Sequence, residues 1–66
     1  MTGLKVLREL SGLSQAELAT IVNVSQQSVA KWENGISSPR MDKLPEIAKA
    51  LNCEISDLFK YESEVK

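Results

Sequence analysis

The sequence predicts an all-α fold built from five short helices. Apolar residues recur at helical spacing along most of the chain, whereas no segment alternates polar and apolar residues as a half-buried strand does. Gly and Pro fall between the periodic segments or in a first turn. The 66 residues are enough for one domain with a modest core. We therefore expect a single domain over residues 1–66, with its core at about 2–60 and a frayed acidic tail at 61–66.

The first two helices are bounded by short polar residues. Thr2 is a plausible N-cap of the first helix, and Ser11-Gly12 ends it. Ser14 and Glu17 form the Ser-x-x-Glu pattern of a capping box at the start of the second. The first helix presents its apolar face through Leu4, Val6, Leu7 and Leu10.

The remaining helices follow the same logic. Ser25 opens the third helix, which runs to about Asn34 and stops at Gly35. A fourth spans about Met41 to Leu51, with Pro45 in its first turn, where little hydrogen bonding is lost. A last turn capped by Ser56 includes the apolar pair Leu58 and Phe59.

The second and third helices form a helix-turn-helix pattern. They meet at a turn of about three residues around Asn23, which tolerates the left-handed conformation that such a turn requires. The second helix of this unit commonly enters the major groove of DNA. A helical hairpin in a small bundle has the same apolar spacing, so the functional prediction depends on polar residues.

Composition excludes several classes of protein. The chain has no His and a single Cys, Cys53, which excludes catalytic triads, His-based zinc sites and internal disulfides. No acid, base and nucleophile group together, so we expect no enzyme, no cofactor and no metal. No apolar run approaches the roughly 20 residues of a membrane span, and no secretory signal is evident, so we expect a cytoplasmic protein.

The charge of the chain is unevenly distributed. The net charge is −1, and residues 1–53 carry six Lys or Arg and five Asp or Glu. Residues 54–66 carry two Lys and four acids, so the acidity lies at the end of the chain. Phosphate binding depends on local basic groups rather than on the total charge.

Polar residues at the start of the third helix are candidates for reading DNA bases. We predict base contacts from Gln26, Gln27 and Lys31, because a Gln amide pairs with N6 and N7 of adenine. The alternative is a solvated polar face. A second group of residues is predicted to contact the DNA backbone. Gln15 lies at a helix N-terminus, which favours anions. The other members of this group are Ser25, Ser28, Asn34 and Arg40. Solvation for Gln15 and a surface role for Arg40 are the alternatives.

Other residues are predicted to have structural roles. Arg8 and Glu33 are expected to form an ion pair that joins the first and third helices. Trp32 is expected in the core between the first, third and fourth helices rather than as a base-stacking platform. Cys53 is expected to be a small buried hydrophobe rather than a redox sensor.

The run LSQAELATIVNVSQQSVAKWENG, followed by Pro39 and LPEIAKALN, resembles the helix-turn-helix family of lambdoid phage repressors and Cro proteins, also called the XRE family. The resemblance covers about residues 4–60 and implies a compact five-helix lambda-repressor-like domain. The triplet Gln26-Gln27-Ser28 is similar to the recognition helix of lambdoid repressors that read operators rich in ACAA. By position, the resemblance implies a phosphate contact for Gln15, base contacts for Gln26 and Gln27, and an Arg8–Glu33 ion pair.

Two departures from the family pattern concern the DNA contacts. Lys31 replaces the third Gln of close relatives, which affects the inner operator bases; a Lys favours guanine there. The loop from Ile36 to Asp42 differs in length and has fewer basic residues.

The leading functional hypothesis is a sequence-specific regulator of transcription, a repressor that binds double-stranded DNA at a palindromic operator as a homodimer. A phage, mobile-element or bacterial origin is expected. We expect part of an apolar cluster of the last helix to form the dimer interface, because Ile55, Leu58, Phe59 and Tyr61 supply more apolar surface than so short a helix can bury. The alternative is an antitoxin or controller module whose main partner is another protein, served by the acidic segment 54–66.

Overall fold

The computed structural model describes residues 1–60, and all regular secondary structure in this part of the chain is helical. The prediction of an all-α fold is confirmed, although the predicted five helices appear as four α-helices and two 3-10 segments. Tyr61 and the predicted tail at 61–66 lie outside the described residues. The α-helices are α1 (Thr2–Leu10), α2 (Gln15–Ile21), α3 (Gln26–Glu33) and α4 (Leu44–Ala50), and the 3-10 segments are Met41–Lys43 and Ile55–Phe59.

The fourth predicted helix is divided near its proline. Pro45 has no N–H with which to reach the Met41 carbonyl oxygen, so an α-helical ladder cannot run across this point. The residues before it use shorter-range bonds instead, such as the 2.9 Å bond from the Lys43 N–H to the Arg40 oxygen. The segment Met41–Lys43 is therefore a 3-10 turn that leads into α4.

Two predicted N-caps are wrong. Met1, not Thr2, precedes α1, and its amino group donates to the Trp32 carbonyl oxygen at 2.6 Å. Glu54, not Ser56, is the N-cap of the last segment: the Glu54 N–H donates to an Asp57 carboxylate oxygen at 2.9 Å, and the Asp57 N–H donates to the Glu54 carbonyl oxygen at 3.0 Å. A carboxylate accepts such bonds as well as a hydroxyl does.

The caps of α2 and α3 agree with the sequence prediction. The Ser14 hydroxyl accepts from the Glu17 N–H at 3.0 Å, and the Glu17 carboxylate accepts from the Ser14 N–H at 2.8 Å. At α3, the Ser25 hydroxyl accepts from the Ser28 N–H at 3.1 Å. These bonds satisfy backbone donors that the first turn of a helix leaves without partners.

The four α-helices of the described residues all end in the same arrangement. A residue with positive φ follows each C-cap, and the N–H of the next residue returns to a carbonyl oxygen five positions earlier, which is a Schellman motif. In α2 this bond joins the Val24 N–H to the Ala19 oxygen at 2.9 Å. The positive-φ residues are Gly12, Asn23, Gly35 and Asn52.

One hydrophobic core lies between the helices. Its centre is fully buried, with Leu4, Leu18, Val29, Ile47 and Leu58 at 0% exposure. Leu10, which the periodic face of α1 included, is instead 75% exposed. It lies in the last turn, beyond the part of α1 that the other helices cover. Trp32 is buried at 6% exposure, as predicted, and the partly buried Cys53 packs against the core.

Burial has a chemical consequence for Cys53. Removal of the thiol from water raises its pKa above the usual value, and the nearby charges of Asp57 and Glu54 act in the same direction. Because the thiolate is the reactive form, this thiol has low reactivity near neutral pH.

The last segment packs against the start of α1 at very close range. Gly3 is buried, and a Cβ atom added to it would lie 2.3 Å from the Leu58 carbonyl oxygen and 2.9 Å from that of Asp57. Only a glycine permits this approach of two backbones.

We expect Gly3→Ala to lower the free energy of unfolding by about 1–3 kcal/mol, because the added methyl forces Ile55–Phe59 away from α1. The effect should appear even though Ala is about 1 kcal/mol better than Gly in a helix. Urea unfolding followed by circular dichroism measures it, with Thr2→Ala, at the exposed neighbouring position, as the control. A Gly3→Ala protein as stable as the wild type would show that the contact is not rigid.

Candidate nucleic-acid interface

The geometry of the α2–α3 unit is set by its turn. Asn23 has a φ of 61°, and its N–H and that of Val24 close the end of α2 on the Thr20 and Ala19 carbonyl oxygens. Two residues later, Ser25 caps α3. The direction of the chain therefore changes within three residues, and α3 packs closely against α2.

Lys43, which is not among the residues predicted from the sequence to have a role, strengthens this turn. The Lys43 ammonium group donates to the Val22 carbonyl oxygen at 2.7 Å and lies 3.3 Å from a Glu46 carboxylate oxygen. A cation at the C-terminal end of a helix is favourable because the carbonyl groups there carry partial negative charge. Lys43 thus connects the start of α4 to the helix-turn-helix unit. No local sequence pattern indicates this contact, because the two residues are far apart in the chain.

The outer face of α3 is polar and exposed. Gln26, Gln27 and Lys31 are all exposed, whereas Val29 and Trp32 point into the core. Within the described residues the two Gln amides make no side-chain hydrogen bond, so their donors and acceptors face solvent. The structure thus brings all three predicted base-contacting residues to one face. This face also contains a shallow depression, which is lined by Gln27, Ala30, Lys31, Asn34 and Ile36.

The predicted backbone-contact residues occupy the two ends of α3 and the loop after it. Ser25 and Ser28 lie at the start, with their hydroxyl oxygens 3.0 Å apart, and Asn34 is the exposed C-cap. The side chain of Arg40 is 89% exposed and lies 4.0 Å from Asp42, a separation at which an exposed ion pair contributes little. Its guanidinium group is accessible to a phosphate.

A buried ionic network connects α1, α2 and α3. The Arg8 Nε donates to Glu33 Oε2 at 2.5 Å, and Arg8 Nη2 donates to Glu33 Oε1 at 3.2 Å. Arg8 Nη1 donates to the Leu13 carbonyl oxygen at 2.7 Å. The side chain of Glu33 is 2% exposed and that of Arg8 is 10% exposed. The expected ion pair is thus present, and it is bidentate, which is the strong geometry for this pair of groups.

Gln15 is a further member of this network. Its amide Nε2 donates to Glu33 Oε1 at 3.0 Å, which fixes the side chain over the C-terminal end of α3. One hydrogen of the amide nitrogen is used in this bond, and the second remains for another acceptor. Gln15 lies at the N-terminus of α2, as the sequence predicts, but its bond to Glu33 has no signal in the sequence.

The network keeps both charged groups ionised. Burial raises the pKa of Glu33, but hydrogen bonds from Arg8 and Gln15 together with the charge of Arg8 outweigh it, so the pKa lies below the usual value. The hydrogen bond to Glu33 raises the pKa of Arg8. The carboxylate is therefore charged at neutral pH, and its charge is compensated inside the protein.

A clustered metal site and a membrane-spanning helix are both absent from residues 1–60. This part of the chain contains no group of three or more Cys, Asp or Glu residues placed to hold a metal ion. It also contains no helix long and apolar enough to cross a membrane.

Comparison with known proteins agrees with this geometry. The family described as "Helix-turn-helix" matches residues 4–58. A protein of Methanocaldococcus jannaschii named as an uncharacterized HTH-type transcriptional regulator is 36% identical over 61 residues, covering 92% of this chain and 92% of that protein. A second, of Archaeoglobus fulgidus and with the same description, is 32% identical over 63 residues, covering 96% of this chain and 90% of its own length.

Proposed function

Because this chain belongs to the helix-turn-helix family of DNA-binding transcriptional regulators, we propose that it is a sequence-specific repressor that binds a palindromic operator as a homodimer. The observation that carries the proposal is the exposed face of α3, on which Gln26, Gln27 and Lys31 are accessible and the two Gln amides have no hydrogen-bond partner within residues 1–60. In this proposal α3 lies in the major groove of double-stranded DNA, as the second helix of the unit does in other proteins.

Each residue of this face has a distinct partner in the groove. The amides of Gln26 and Gln27 each combine a donor with an acceptor, which matches N6 and N7 of adenine. Lys31 has donors only, so it favours O6 and N7 of guanine. Lys31 is one turn further along the exposed face, so its base pair is the inner one of the half-site.

Backbone contacts set the register of the protein on the duplex. Gln15 offers its second amide hydrogen to a phosphate beside the N-terminus of α2, where backbone N–H groups also favour an anion. The other contacts come from the ends of α3 and the following loop. They are the hydroxyl groups of Ser25 and Ser28, the amide of Asn34 and the guanidinium group of Arg40. Most of these groups are neutral, so binding relies on hydrogen bonds more than on the number of cations.

A homodimer follows from the size of the recognition surface. One α3 face spans only about four or five base pairs, too few to mark a site among about a million or more competitors. Two copies related by a two-fold axis read two half-sites one helical turn apart. For the contact between copies we propose Ile55 and Phe59, which are 39% and 45% exposed. Leu58, a third member of the apolar cluster, is fully buried against α1 and α4 and is therefore not available for this contact.

Repression requires no chemistry beyond occupancy. A dimer bound at a promoter blocks access by covering DNA, so the proposed activity needs neither catalysis nor a cofactor. We propose that the protein acts in the cytoplasm, in the same compartment as the DNA that it binds.

We expect Gln26→Ala or Gln27→Ala to weaken binding to the preferred site by about 1–3 kcal/mol and to relax base preference at one or two positions. Gln15→Ala should weaken binding by a similar factor on every sequence, since a phosphate contact carries no base information. Fluorescence anisotropy on the preferred site and on single-base variants distinguishes the two patterns. Equal loss on all sequences for Gln26→Ala and Gln27→Ala would mean that these residues contact the backbone, and the assignment of α3 would fail.

A further inference from the structure

Ile36 differs in its burial from the residues that occupy the same place in the Schellman motifs of α1, α2 and α4. In each Schellman motif the residue after the positive-φ position is apolar or a cysteine, and it normally packs inward. Leu13, Val24 and Cys53, which follow α1, α2 and α4, are partly buried and pack against the core. Ile36, which follows α3, is 72% exposed.

The backbone of Ile36 is nevertheless held in place. Its N–H donates to the Lys31 carbonyl oxygen at 2.9 Å, and the next N–H, of Ser37, reaches the same oxygen at 3.4 Å. An apolar side chain on a fixed backbone loses little conformational entropy when it is covered by a partner. The exposed Ile36 is therefore well prepared for a contact.

The location of Ile36 indicates which partner would cover it. A single exposed apolar residue is ordinary and needs no explanation. Ile36, however, shares the depression on the outer face of α3 with Gln27, Lys31 and Asn34, and Ala30 adds a second apolar surface between these polar groups. A molecule that pairs with both Gln27 and Lys31 therefore lies next to Ile36 and Ala30.

We propose that Ile36, together with Ala30, is a specificity-determining residue that contacts the 5-methyl group of a thymine in the major groove. The inference rests on the proposed function. The thymine methyl is the apolar group that the base pairs of unmodified DNA present in this groove. Since Ile36 lies beyond Lys31 along the exposed face, the thymine lies beyond the base pair that Lys31 contacts.

Replacing thymine with uracil tests the contact, because the two bases differ only in this methyl group. Uracil is placed at each thymine of a selected operator in turn, and the dissociation constant is measured for the wild type and for Ile36→Ala. We expect one thymine in each half-site to be sensitive. Its replacement by uracil in one half-site should lower the affinity of the wild type about fourfold. Ile36→Ala should lose most of this discrimination between thymine and uracil, because only the smaller Ala30 methyl then remains beside the base. Leu10→Ala, which removes an equally exposed apolar side chain outside the depression, should retain the fourfold loss.

Two results would overturn the inference. The wild type could bind thymine and uracil equally at every position, or Ile36→Ala could retain the discrimination of the wild type. Either result, with a selected operator in hand, leaves the proposed function intact and removes only the role of Ile36. A protein that selects no DNA sequence at all would instead contradict the proposed function, and this inference with it.

Discussion

Replacing Glu33 with Ala is expected to lower the free energy of unfolding by about 3–5 kcal/mol, because the variant leaves Arg8 buried with no compensating charge. The carboxylate also accepts from Gln15, so the variant removes the bonds that connect α1 and α2 to the end of α3. A domain of this size has a total stability of about 3–10 kcal/mol. We therefore expect the variant to be largely unfolded at physiological temperature. Urea unfolding followed by circular dichroism measures the change.

Glu9→Ala is the matched control for this experiment. Glu9 is also close to Arg8, at 3.9 Å, but its side chain is 58% exposed. An exposed pair of this kind contributes about 1 kcal/mol or less. If Glu33→Ala were no more damaging than Glu9→Ala, the buried network would not hold the helices together.

The network also predicts how stability depends on pH. The pKa of Glu33 is lower in the folded protein than its usual value of 4.5, so folding favours the charged form. This contribution is fully present above the unfolded pKa and is lost as the pH falls through the folded one. The wild type should therefore lose its advantage over Glu33→Gln as the pH is lowered below about 4.5. Asp57 acts in the same direction, because hydrogen bonding to the Glu54 backbone lowers its pKa, so the Gln variant should keep part of the acid sensitivity.

The second large effect is expected at Trp32. Trp32→Ala removes a large side chain that is only 6% exposed, and a cavity of this kind costs about 3–5 kcal/mol. The variant should destabilise the α2–α3 unit that carries the proposed DNA contacts, because Trp32 lies in α3. Thermal or urea unfolding measures it.

The fluorescence of the wild type provides an independent check, because Trp32 is the only tryptophan in the chain. Its emission maximum should be that of a buried indole and should shift to longer wavelength on unfolding. Leu10→Ala, at a position that is 75% exposed, should change stability by about 0.5 kcal/mol or less. A wild-type emission maximum typical of full exposure would contradict the packing described for α3.

Local sequence patterns predicted the features of the fold that depend on neighbouring residues. The capping box of Ser14 and Glu17, the turn at Asn23 and the end of α3 at Gly35 each require only a few adjacent residues, and each is present. The periodicity of α1 also predicted the burial of Leu4. It was wrong for Leu10, because spacing shows which face of a helix is apolar and not how far along that face the rest of the protein extends.

Features that join distant parts of the chain were harder to predict. The bond between Gln15 and Glu33 and the bond between Lys43 and the Val22 carbonyl oxygen depend on how the helices are arranged. The same is true of Leu58, whose burial results from the close approach that Gly3 permits. For the candidate interface, the sequence identified the polar residues of α3, but the exposure of Ile36 beside them became evident only from the structure.

The measurement that tests the central proposal most directly is selection of bound sites from a random pool of double-stranded DNA. A homodimer that reads DNA through α3 should enrich a motif made of two inverted half-sites whose centres lie about 34 Å apart, one turn of B-DNA. Adenines should dominate the positions read by Gln26 and Gln27. The selected site should bind two protein chains at saturation. No enriched motif, or a motif without two-fold symmetry bound by one chain, would contradict the proposal of a homodimeric, sequence-specific regulator.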